Sequence, residues 1–158
     1  MTQQNREEWM RRAIALAQEN VHNGGGPFGA VVVKDGRIVA TGVNRVTASK
    51  DPTAHAEIAA IRAAATSLNS FRLEGCDLYS SCEPCPMCLG AIFWARLSAY
   101  YFACTRVDAA EAGFDDAFIY TQLDLPPAAR AIPGHRLVGV DAKAPFAEWA
   151  RSPHKIQY

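Results

Sequence analysis

Two short stretches carry side chains able to do chemistry. His55-Ala56-Glu57 is one, and Pro84-Cys85-Pro86-Met87-Cys88 is the other. His55, Cys85 and Cys88 offer one imidazole and two thiolates, a donor set that suits zinc. Three protein ligands leave the fourth tetrahedral position for water, which is the arrangement of a catalytic site. Spacing adds geometry. His55 and Glu57 are two residues apart, so on a helix they point roughly 200° from one another. They converge only if the helix is viewed end-on, with its N-terminus aimed at the metal. Cys85 and Cys88 fit a first helical turn behind Pro86, so both can reach one ion. Two helix N-termini should therefore face one zinc, their positive dipole ends favouring thiolates and an acidic bound water. Taken singly, each residue has a plainer reading: a solvated first-turn Glu, a surface His, a small buried Cys. The joint pattern carries the signal. Cys82 makes a double C-x-x-C, but Pro84 keeps it in the preceding strand, where it reads as core. A closed site of His55 with all three cysteines is the structural-zinc alternative.

The elements that must position these residues are legible in outline. Met10, Ile14, Ala17 and Val21, widened by Trp9, Ala13 and Leu16, predict a first amphipathic helix that ends at Gly24-Gly25-Gly26-Pro27. Phe28 to Val33 and Arg37 to Val43 read as strands around an Asp35-Gly36 type I′ turn. A polar stretch, Asn44 to Lys50, precedes a second helix capped by Asp51 or Thr53, with Ile58, Ile61, Ala65 and Leu68 inward. Leu78 to Cys82 reads as a strand. Met87 to Ala95, with Pro86 as first helical residue, reads as a helix so apolar that deep burial is expected. Ala99 to Cys104 lacks alternation, as for a parallel strand covered on both faces. Leu137 to Val140 and Pro145 to Arg151 read as a last short strand and a last short helix. The order predicts an α/β fold: a three-layer α/β/α sandwich around a mixed five-stranded sheet, in one domain spanning 1–158.

Composition narrows the function classes. The 158 residues hold 16 Lys+Arg against 16 Asp+Glu, for a net charge of +0. A nucleic-acid binder usually carries a basic surplus, so no nucleic-acid partner is expected. No run approaches the roughly 20 apolar residues that cross a bilayer, and the N-terminus has no apolar signal core, so a cytoplasmic protein without a membrane partner is expected. In that reducing setting, clustered cysteines point to a metal before disulfides.

The His-x-Glu and Pro-Cys-x-x-Cys pair resembles the zinc nucleobase and nucleoside deaminase superfamily. Within it the chain is similar, over nearly its whole length, to small bacterial guanine deaminases of the cytidine-deaminase fold. The likeness rests on Gly26-Pro-Phe-Gly-Ala30, Asn44, Asp51-Pro-Thr-Ala-His-Ala-Glu57, Ser81-Cys-Glu-Pro-Cys-Pro-Met-Cys88, Trp94-Ala-Arg96, Glu111-Ala-Gly-Phe-Asp-Asp-Ala-Phe-Ile-Tyr120 and the terminal Tyr158. The resemblance implies one Zn²⁺ per chain on His55, Cys85 and Cys88, and hydrolytic deamination of guanine to xanthine and ammonia. It implies Glu57 as proton shuttle and Asp116 as second acid, with Asp115 an open alternative. It implies substrate contacts from Asn44, Phe28, Ala56, Trp94 and Tyr158. Deamination of tRNA adenosine or of cytosine shares the first motifs and is the alternative reading; a zinc module without turnover is the remote one. Pro153 resists helix continuation, so residues 152–158 should be extended. The resemblance implies that this tail crosses to a second copy and that Tyr158 closes its pocket, making a domain-swapped homodimer.

Overall fold

A computed structural model describes residues 3–158, in two compact units divided after Asp116. Helix α1 (Gln3–His22) buries Trp9, Ala13, Leu16, Ala17 and Asn20. Ile14 and Val21, expected on the inward stripe, are exposed at its margin. The helix is turned so that Trp9, its largest apolar side chain, meets the ring of Tyr79 edge-on at 5.3 Å. Strands β1 (Gly29–Lys34) and β2 (Arg37–Val43) form the expected hairpin. Asp35 and Gly36 both take positive φ, 49° and 76°, as a type I′ turn requires. A short helix, α2 (Val46–Ser49), forms within the polar stretch Asn44 to Lys50.

Helix α3 (Ala56–Ser67) starts later than expected. Asp51 does not cap it; its Oδ1 accepts hydrogen bonds from the Thr53 backbone N–H and hydroxyl, which closes a turn ahead of the helix. Then follow β3 (Cys76–Cys82), α4 (Pro86–Trp94), β4 (Ala99–Cys104) and α5 (Arg106–Glu111). Thr105 and Asp108 form a reciprocal capping box at the start of α5.

The sheet order is β2-β1-β3-β4, with β1 antiparallel to both neighbours and β3 parallel to β4. Side chains alternate across it and build two cores. Trp9, Ala13 and Leu16 pack with Val31, Val33 and Tyr79 on one face. On the other face Ala56, Ala60, Ala64 and Ile92 pack with Ala30, Val32 and Leu78. The three layers are as expected. The described residues contain four strands, not five: Leu137 to Val140 is exposed irregular chain, and Gly139 at φ 83° interrupts its extended run.

Two burial expectations also fail. Only Cys88 and Ile92 of α4 are buried, while Phe93 and Trp94 are 72% and 68% exposed. Strand β4 forms the sheet edge and is mostly exposed.

The second unit, Ala117–Tyr158, holds α6 (Ala117–Leu123), a 3₁₀ turn (Pro127–Ala129) and α7 (Ala144–Arg151). None of its residues is buried, although Phe118, Ile132, Leu137, Phe146 and Ile156 are large and apolar. Among the described residues no helix is long and apolar enough to cross a membrane.

Candidate active site

His55 is the N-cap of α3 and Cys85 the N-cap of α4; neither side chain makes a capping hydrogen bond. Both instead turn toward one point. His55 Nδ1 lies 3.5 Å from the Cys85 Sγ and 3.5 Å from the Cys88 Sγ. A tetrahedral zinc with Zn–S near 2.3 Å and Zn–N near 2.0–2.1 Å sets its N and S ligands about 3.5 Å apart. The triangle therefore fits the ion. Among the described residues no other cluster of His, Cys, Asp or Glu meets the same closeness, with ligand atoms within 4.8 Å of one another. Cys82 stands outside it, as its strand position predicts: it is buried, and its Sγ faces the Thr105 carbonyl at 3.6 Å.

Glu57 projects from the first turn of α3 into the same place and is 6% exposed. The Ser80 hydroxyl donates to its Oε1 at 3.1 Å, and the Cys88 thiol lies 3.4 Å from its Oε2. Burial pushes the Glu57 carboxyl above its ordinary range. The hydrogen bond from Cys88, with His55 adding to it, draws the Cys85 thiol down to about 4. The Cys85 sulfur in turn raises the His55 imidazole. Cys88 is held up by its bond to Cys85 and by burial, so a metal cation is what its thiol needs to ionise as well.

His55, Glu57 and Cys85 line a cleft of about 530 Å³, whose walls include Gly24 to Gly26, Phe28, Asn44, Thr47, Arg106, Asp115 and Asp116. The Phe28 ring is held by Phe114, edge-on at 4.9 Å. Asn44 is buried and accepts the Val46 N–H at its Oδ1, which leaves its NH₂ group as donor to a ligand. Burial, then the nearby Cys85, raises the Asp116 carboxyl.

Two expected contacts are not brought here. Ala56 is fully buried in the core and is not a cleft wall. Trp94 ends the nine-residue α4, about 13 Å along the axis from its metal-facing start. Tyr158, expected against the cleft of a second copy, is 71% exposed in the single chain. Two residues that sequence reasoning passed over also bear on the site. Ser80 anchors Glu57, and Asn20 of α1 hydrogen-bonds to the cleft wall. Asn20 was discoverable: it continues the Ala13, Leu16, Ala17 row, where a polar side chain needs a buried partner.

Comparison with known proteins agrees with this geometry. Residues 3–104 match the cytidine and deoxycytidylate deaminase zinc-binding region. The chain is 53% identical over 155 residues to a guanine deaminase of Bacillus subtilis, covering 98% of this chain and 99% of that protein. The crystal structure of guanine deaminase from the same species superposes with a TM-score of 0.95 at 52% identity, covering 100% of this chain and 99% of that one. A tRNA-specific adenosine deaminase of Aquifex aeolicus is 41% identical over 98 residues, 62% of this chain and 65% of that protein. The triangle of His55, Cys85 and Cys88, the carboxylate of Glu57 beside it and the matched residues together identify the chain as a member of the cytidine and deoxycytidylate deaminase zinc-binding family.

Proposed function

We propose that the chain hydrolyses guanine to xanthine and ammonia. The observation that carries this is the buried Glu57 carboxyl set against the His55–Cys85–Cys88 triangle, in a cleft of a size for a purine base. Full-length likeness to a guanine deaminase, against a partial match to tRNA-specific adenosine deaminases, favours the free base.

His55 Nδ1 and the Cys85 and Cys88 thiolates would hold zinc, which as a Lewis acid would lower the pKa of water from about 15.7 toward 7. Glu57 takes the proton of the attacking water and returns protons to N3 and to the amine leaving C2. Ser80 holds the carboxyl in place through Oε1. The raised affinity of Glu57 for a proton suits a group that must hold one and then release it. Phe28 offers a ring face to the planar base. Asn44 donates its NH₂ to an acceptor on the purine edge. Asp116, kept partly out of water, serves as second acid or amine anchor, with Asp115 adjacent in the same wall.

The chain acts as one deaminase domain, and residues 152–158 swap between two copies so that Tyr158 closes the partner's cleft. The unburied apolar surface of residues 117–158 supports this, as does the exposed end of α4 with Phe93 and Trp94. Five free cysteines support a cytoplasmic setting.

The test is ammonia release from guanine, adenine, cytosine, cytidine and a tRNA anticodon stem with one purified preparation. Guanine alone should respond; a response to the RNA stem without guanine turnover overturns the reading. Deleting the residues after Ser152 should lower both activity and sedimentation, and a fully active deletion leaves the tail without the role.

A further inference from the structure

One buried side chain ties together two walls of the cleft that come from distant parts of the sequence. Asn20 lies in the last turns of α1 and is 5% exposed. Its Nδ2 donates to the Gly26 carbonyl at 2.8 Å and to the Asn44 carbonyl at 2.7 Å. Both hydrogens of the amide are thereby used. The backbone carbonyl of Asn20 accepts the Gly25 N–H at 2.8 Å. The glycine turn and the residue after β2 are thus fastened to the end of one helix.

The local sequence is built around this clamp. A Cβ on Gly25 would come within 2.3 Å of the Asn20 Nδ2, and one on Gly26 within 3.0 Å of the Asn44 Oδ1. Gly25 has no room for a side chain while the Asn20 amide stays where it is, and at Gly26 the Asn44 amide would have to give by a few tenths of an ångström. Asn44 is then fixed at three points: its carbonyl by Asn20, its N–H by the Phe28 carbonyl at 3.1 Å, and its Oδ1 by the Val46 N–H at 3.2 Å. Without Asn20 the Asn44 carbonyl would be left without that donor, and the strand end carrying the amide would be free to relax.

We infer that Asn20 is a positioning residue for substrate, acting through Asn44: it sets the Asn44 NH₂ against the purine edge and holds Gly24 to Gly26 clear of the base. This rests on the reading of the cleft as a guanine site. Asn20 touches neither zinc ligand nor Glu57, so its effect falls on binding and spares the chemical step.

The experiment is a double-mutant cycle on guanine turnover with Asn20→Ala, Asn44→Ala and the pair, with zinc per chain measured alongside. Asn20→Ala should raise KM about tenfold, leave kcat within about threefold and keep one zinc. In the Asn44→Ala background the same change should cost about twofold or less in kcat/KM, because the group it positions is gone. An equal cost in both backgrounds, or a fall in kcat at unchanged KM, overturns the inference. Should Asn20→Ala not accumulate as folded protein, the same cycle is run with Asn20→Ser, which keeps a short donor, and with Gly25→Ala, which presses on the clamp from outside; the same non-additivity is required of them. Absence of guanine turnover in the unmutated chain removes the substrate reading and this inference with it, whereas additivity in an active chain removes the inference alone.

Discussion

Replacing Gly42 by Ala tests how tightly the sheet places the metal site. Gly42 lies in β2 directly beneath the first turn of α3. A Cβ there would stand 2.2 Å from the Ala56 carbonyl oxygen and 2.4 Å from the Ala60 nitrogen. Both are backbone atoms of a helix, so no side-chain rotation relieves the clash. Ordinary contact needs about 1 Å more, and α3 must lift by about that much or β2 must bend. Overpacking of this kind costs about 1–3 kcal/mol, which for a chain of this size lowers Tm by about 2–12 °C. The larger effect should fall on the site, because His55 and Glu57 flank Ala56 and ride on the same turn. Metal ligands tolerate about 0.2 Å of misplacement, and a 1 Å error near reacting groups costs about 10²-fold in rate. Zinc per chain, guanine turnover and thermal unfolding measured on one preparation give all three readings. A Gly42→Ala protein with a full complement of zinc and turnover within a factor of two would refute the claim that this close approach sets the position of α3.

Other substitutions separate the roles within the cleft. Cys85→Ala and Cys88→Ala should lose zinc by metal analysis while Cys82→Ala keeps it; loss from Cys82→Ala would reassign the ligands. Glu57→Gln should retain zinc and fold but lower turnover by about 10²–10⁴ or more, and a variant within a few-fold of the parent contradicts the shuttle. Asp116→Ala should impair guanine turnover far more than Asp115→Ala, because Asp116 is the more buried of the two; the reverse ranking moves the role by one residue. Tyr79 gives a pH dependence of stability. Its hydroxyl is buried, and burial pushes it up to about 12 from an ordinary 10. The unfolded chain therefore loses this proton first as pH rises. The Tyr79 share of stability should hold below pH 10 and fall by about 2–3 kcal/mol between pH 10 and 12, read by urea unfolding beside the decline that the raised Cys82 thiol brings from about pH 9. Tyr79→Phe should remove the Tyr79 share, and an unchanged decline assigns it elsewhere.

The chemistry was more legible in the sequence than the burial. The two-residue gap between His55 and Glu57 demanded a helix seen end-on, and both ligand-bearing helices do begin at the site. Period alone could not phase α1: its apolar rows are adjacent, and the choice was made by Trp9 packing on Tyr79, a contact 70 residues away in sequence. Nor could it place α4. An apolar helix looks the same whether its faces are destined for its own core or for another surface, and here Phe93 and Trp94 stay uncovered within the chain. Asp51 misled for a local reason, since a turn closed by its own carboxylate competes with a helix cap. Ser80 was invisible as a site residue because its partner is fixed only once the sheet is assembled, whereas Asn20 could be marked as buried on α1 but not matched to Gly26 and Asn44.

The two helix starts have a consequence for the life of the protein in a cell. An N-cap side chain that reaches back to the backbone is worth about 0.5–2 kcal/mol, and neither His55 nor Cys85 does so. A bound ion would instead tie the two helix starts together through His55, Cys85 and Cys88, and a copy that never acquires zinc would lack that tie beside its most buried acid. Such a copy opens there first, and proteases act on open segments. The pool of intact enzyme is thereby sorted toward loaded molecules, and scarcity of the metal shortens the survival of the chain as well as silencing it.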